Sequence, residues 1–146
     1  MKIEKFSEIY STDETYDRVN NPDRLNVFEL SSLGISWSYN GRDYTITNER
    51  RLNAILLKSE IEIALVEAPF DENPKNKAYI VNSQGEIVWD IKELFLAKHR
   101  NSRDVTFYYP IYEALDLYFH IFINNCEFRF LVNIVTGEIG ELLECR

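Results

Sequence analysis

Apolar and polar residues alternate with a two-residue period through much of the chain, most clearly between Leu115 and Ile134. There Leu115, Leu117, Phe119, Ile121 and Ile123 alternate with Asp116, Tyr118, His120 and Phe122, the period of a β-strand. Asn124-Asn125 supplies a two-residue turn, because Asn tolerates positive φ. On the return, Cys126, Phe128, Phe130, Val132 and Ile134 alternate with Glu127, Arg129, Leu131 and Asn133. The turn sets Ile123 opposite Cys126, Ile121 opposite Phe128, Phe119 opposite Phe130 and Leu117 opposite Val132. Every such pair is apolar, so a slip of one residue would destroy the match.

The same logic finds further hairpins. Gly34 to Tyr39 runs into Asn40-Gly41 and returns as Arg42 to Ile46, a strong turn signal that sets Trp37 against Tyr44 and Ile35 against Ile46. Ala78–Asn82 and Glu86–Ile91 flank Ser83-Gln84-Gly85, which sets Tyr79 against Trp89 and Val81 against Ile87. Shorter strands are expected at Leu25 to Leu30, around Ile61, Ile63 and Leu65, from Val105 to Tyr109 where Pro110 stops it, and from Ile139 to Leu143 with Gly140 as a bulge. Two stretches read as helices: Glu49 to Lys58, capped by Asn48 or Thr47 with Leu52, Ile55 and Leu56 inward; and Ile91 to Lys98, opened by Asp90 and Glu93 as a capping box with Leu94 and Phe95 inward. Ser7 to Val19 allows a short one, weakened by Ser11, Thr12 and Thr15. The expected fold is α+β, mostly antiparallel sheet built from hairpins with one or two short helices packed on it.

At 146 residues, 45% of them hydrophobic and 14% aromatic, the chain suits one domain, residues 1–146, with a real core. A net charge of −8 argues against nucleic acid or an anionic membrane as partner, since both are gripped through Lys and Arg. No signal-peptide core or membrane-length apolar run is present. Cys126 and Cys145 make neither a disulfide framework nor a zinc motif. A cytoplasmic protein with reduced thiols is expected, a bridge between those two cysteines being left open.

Catalysis finds little to work with. His120 lies opposite Arg129, whose cation would depress a general base, and it points away from Cys126, the neighbouring thiol on the register. GxSxG, phosphate-loop, dinucleotide-loop, HExxH and DxDxDG patterns are missing. No enzyme, metal or cofactor is expected. The candidates for contact with a partner are Asp13, Glu14, Asp17, Asp71 and Glu72, chosen for negative charge on loops.

Ala78 to Ile91 resembles a pattern in small bacterial proteins, some of them immunity proteins paired with toxins. Phe130-Leu131-Val132-Asn133 followed by Gly137-Glu138-Ile139 is similar to its second half and echoes Tyr79 to Ile87. The resemblance implies a non-enzymatic protein that binds and neutralises a cognate toxin. The acidic balance suits a toxin domain with a basic surface. The competing expectation is a small-molecule module with Trp37, Tyr39 or Trp89 lining a pocket.

Overall fold

The computed structural model describes residues 1–70 and 76–145. Its strands form three antiparallel sheets, and both helices are short. The first sheet contains β1 (Glu4–Ile9), β2 (Gly34–Tyr39) and β3 (Arg42–Thr47), in that order, with α1 (Val27–Leu30) in the connection between β1 and β2. The second runs β4 (Leu52–Leu56), β5 (Glu62–Glu67), β6 (Lys77–Asn82), β7 (Ile87–Asp90), and α2 (Ile91–Lys98) follows directly. The third is ordered β11-β10-β9-β8, from β8 (Val105–Glu113), β9 (Asp116–Ile123), β10 (Cys126–Leu131) and β11 (Leu143–Glu144). This is the α+β, hairpin-built class the alternation predicts.

The second sheet is the middle layer. Ile63, Leu65 and Val81 pack with Ile35, Trp37, Leu52 and Ala54, toward the first sheet. Ala64, Val66, Ala78 and Ile80 pack with Phe107, Phe119, Ile121 and Phe130 of the third sheet and with Ile91 and Phe95 of α2. Four consecutive residues of β5, Ile63 to Val66, are therefore fully buried. A strand covered on both faces reads as a continuous apolar run rather than an alternation.

That two-sided burial explains why Glu49 to Lys58 is a turn and then β4, not a helix. Leu52, Ala54 and Leu56 face one core while Ile55 and Leu57 face the other, and a short apolar run of this kind mimics a helical stripe. Asn48 uses its side-chain oxygen on the Arg50 amide at 2.8 Å, closing a turn instead of capping a helix. Arg51 is buried with its guanidinium over the Phe28 ring, 4.5 Å from the centroid, rather than displayed at a helix N-terminus. Ser7 to Val19 is likewise no helix. Its start belongs to β1, paired with β2, and the rest is turns. The expected strand at Leu25 to Leu30 is α1, because Asn26 and Glu29 form a reciprocal capping box.

The hairpin registers hold at Trp37–Tyr44 and Ile35–Ile46, and at three of the four central pairs, Ile123–Cys126, Ile121–Phe128 and Phe119–Phe130. Val132 lies past the end of β10, its amide donating to the Leu117 carbonyl at 2.9 Å. Asn124 and Asn125 both take positive φ, 51° and 65°, as the two-residue turn requires. Tyr79 faces Asp90 rather than Trp89, because the register shifts between Ile80 and Val81. β8 continues through Pro110; it is an edge strand, where a missing N–H costs no ladder bond. The expected last strand resolves into one bridge, Val132 to Ile139, and the two-residue β11.

The sequence echo has a structural counterpart. Asn82 accepts the amides of Gln84 and Glu86 with its side chain, and Asn133 accepts those of Val135 and Thr136. Each turn lies beside a tryptophan from the preceding sheet. Trp37 donates its indole N–H to the Ser83 carbonyl at 2.6 Å, and Trp89 donates to Ile134 at 2.8 Å. Successive layers are pinned at these two points.

Candidate partner-binding face

One face of the third sheet closes the core through Phe107, Leu117, Phe119, Ile121, Phe130 and Val132. Strand alternation puts the intervening residues on the other side. By register these are Tyr109, Ile111 and Glu113 of β8, Asp116, Tyr118, His120 and Phe122 of β9, Glu127, Arg129 and Leu131 of β10, and Leu143 of β11. Ile111, Leu131 and Leu143 are 39%, 37% and 41% exposed, and Tyr109, Tyr118 and Phe122 are half-buried. Scattered single apolar residues at a surface need no explanation, but aromatics and aliphatics gathered on one sheet face do.

Carboxylates frame this face. By register Glu113, Asp116 and Glu127 lie on it beside Arg129, whereas Glu144 pairs with Phe128 on the inner side and Glu141 lies 3.4 Å from Lys98. Arg129 is held by Glu113, Nε to Oε2 at 3.1 Å, and lies over the Tyr118 ring at 5.4 Å. Half-burial together with Glu127 and its other acidic neighbours raises the Tyr109 phenol above its ordinary value.

His120 sits within this face and is only 8% exposed. Tyr109 stacks on its ring, with centroids 4.6 Å apart and planes 13° from parallel. Its Nδ1 lies 3.3 Å from Tyr109 Oη, 3.4 Å from Glu127 Oε1 and 3.8 Å from Cys145 Sγ. Its Nε2 is buried with no hydrogen-bond partner among the described residues. A nucleophile–base–carboxylate relay would use opposite ring nitrogens, whereas here thiol and carboxylate both meet Nδ1. Cys126 is exposed and takes no part, as its register dictates. Neither cysteine is in a disulfide.

Glu127 was legible as a diagonal neighbour of His120 across the Asn124-Asn125 turn. Cys145 was not. It arrives through the irregular stretch 133–142, and its amide reaches the Glu127 carbonyl at 3.0 Å. The spacing of ligating residue types along the sequence held no sign of the cluster.

The acidic loop candidates lie elsewhere. Asp13, Glu14 and Asp17 are exposed on the turns that follow β1. Asp13 accepts the Thr15 amide and hydroxyl, both at 2.9 Å, and Asp17 accepts from Asn20. These bonds to the charged form hold both carboxyls below the usual range. Asp71 and Glu72 fall outside the described residues. Trp37 is core, 2% exposed and stacked on Tyr44, and Trp89 is committed to the turn at Ile134. An open cleft of about 520 Å³ does exist, lined by Phe70, Thr106, Tyr108, Phe122 and Asn124 among others. It adjoins the outer face of the third sheet at Thr106 and Phe122.

The chain has the fold of one member of a solved two-protein assembly. It is similar to a chain in the structure of Tne2 in complex with Tni2, with a TM-score of 0.71 and 15% identity, covering 99% of both chains. No protein-family model and no curated protein matches it. No helix among the described residues is long and apolar enough to cross a membrane.

Proposed function

We propose that the chain is a non-enzymatic bacterial immunity protein that acts in the cytoplasm by binding and neutralising a cognate toxin domain with a basic surface. The observation that carries this reading is the open outer face of the third sheet, with its tyrosines, its arginine and its rim of carboxylates. Tyr and Arg are the residue types that dominate binding energy at interface centres. The carboxylate rim speeds encounter with a basic partner and disfavours acidic ones.

Size limits how the partner docks. Four strands about 4.8 Å apart and about six residues long present a face of roughly 400 Å². A standard interface buries about 800 Å² on each partner. The toxin domain therefore also covers the adjoining Tyr108–Phe122 cleft, which this reading treats as part of the interface rather than a small-molecule site. The resemblance of residues 78–91 and 130–139 to immunity proteins, and the fold shared with one chain of the Tne2–Tni2 complex, both favour a role exercised through a protein partner.

The test is co-purification with the product of the adjacent upstream gene, followed by growth rescue when that product is expressed. Binding and rescue together support the proposal. A stably folded protein that neither binds nor rescues against any toxin-like neighbour would remove it.

A further inference from the structure

We propose that His120, Glu127 and Cys145 form a zinc site that fastens the C-terminal strand to the central hairpin. One nitrogen can share one proton or one lone pair, yet His120 Nδ1 has Tyr109 Oη at 3.3 Å, Glu127 Oε1 at 3.4 Å and Cys145 Sγ at 3.8 Å, and none of the three is a short, well-made hydrogen bond. Zinc–nitrogen and zinc–oxygen bonds of about 2.1 Å and a zinc–sulfur bond of about 2.3 Å, arranged tetrahedrally, hold N and O about 3.4 Å apart and N and S about 3.6 Å apart. The observed N–O and N–S spacings are close to those of ligands around a shared ion. All three ligating atoms lie within 4.8 Å of one another.

The donor set selects the metal. An imidazole, a thiolate and a carboxylate suit zinc and disfavour magnesium or calcium, which take oxygen. Charge agrees with a divalent cation. Arg129 donates from Nη1 to Cys145 Sγ at 3.6 Å and from Nε to Glu113 Oε2 at 3.1 Å, while the Glu127 carboxylate and the Cys145 sulfur, once its proton is released, supply negative charge to the ion. Three protein ligands leave the fourth position to water. β11 is two residues long and pairs only with β10, so the metal supplies an anchor that the ladder alone does not. Binding releases the thiol proton to solvent.

Metal-free full-length protein is titrated with zinc by calorimetry and with cobalt by absorption spectroscopy. The expected result is one sub-micromolar site, a thiolate-to-cobalt charge-transfer band, and a higher melting temperature with zinc. Because loss of even an outer-shell partner costs about 10–100-fold in affinity, Cys145→Ser and His120→Gln should each weaken zinc binding at least that much, and Cys145→Ser should abolish the band. Alkylation supplies a readout that survives if His120→Gln does not fold. Zinc should shield Cys145 in the wild-type protein while the exposed Cys126 stays reactive as an internal control. Absence of saturable zinc binding, binding unchanged by Cys145→Ser, or equal labelling of both thiols with zinc present would overturn the site. None of these results bears on toxin binding, which the rescue assay reads separately.

Discussion

The second and third sheets share one local plan, a strand, an Asn-led turn closed by glycine, and a return, yet differ in what covers them. β5 buries Ile63, Ala64, Leu65 and Val66 in succession because a sheet lies on either side. β9 and β10 bury Phe119 and Phe130 on one side and leave Tyr118, Arg129 and Leu131 on the other partly open. The difference teaches that turn chemistry sets each sheet's register, while position in the stack decides whether its second face is buried or left open.

The strongest way to break this contrast is to truncate neighbouring residues. In the middle sheet, Leu65→Ala and Ile80→Ala strike opposite faces, and each should cost about 2–5 kcal/mol. In the third, Phe130→Ala should cost about 3–5 kcal/mol, whereas Leu131→Ala, one residue on, should stay within about 0.5 kcal/mol. Urea denaturation of the four variants reads this directly. A loss at Leu131 comparable to that at Phe130 would mean the outer face is covered.

The paired turns sharpen the comparison next. Gly85 and Gly137 both have positive φ, 79° and 76°, so alanine at either should cost roughly 1–2 kcal/mol in backbone strain. A Cβ on Gly137 would also come within 2.6 Å of the Trp89 ring, against 3.7 Å from Trp37 at Gly85. Gly137→Ala should therefore lower the melting temperature clearly more than Gly85→Ala does.

A smaller effect is expected at Trp89. Trp89→Phe keeps most of the ring but loses the bond to the Ile134 carbonyl, for about 1 kcal/mol by chemical denaturation. The smallest lies in the acidic turns. Asp13 and Asp17 have lowered carboxyl pKa values in the folded state, so their contribution is full above the ordinary Asp range. It is lost as pH falls through the folded values. Carboxyl chemical shifts followed by NMR should titrate below those of a model Asp, and Thr15→Val should move Asp13 back up.

Most of the third sheet was legible because Asn124-Asn125 fixes the register and one buried face enforces alternation. Tyr118, Arg129 and Leu131 could thus be placed on the outer side from sequence, as could His120 opposite Arg129. β4 was not legible, since burial on both faces erases the polar half of the pattern and leaves Leu52, Ile55 and Leu56 looking like a helical stripe. Nor was α1, whose capping box at Asn26 and Glu29 encloses too short a run to show a period. Acidic loops attracted attention by charge alone. Asp13 and Asp17 also close their own turns, and how open the outer face is shows only once the sheets are stacked.

The central proposal is that the outer face of the third sheet, and not the loop after β1, meets the proposed toxin partner. The direct measurement is the affinity of the cognate toxin domain for two variants of equal charge change and unaltered fold by circular dichroism. These are Tyr118→Lys with Leu131→Lys, and Asp13→Asn with Asp17→Asn. The first pair should abolish tight binding and growth rescue while the second leaves both near wild type. Full binding by the first pair, with loss confined to the second, would contradict the account.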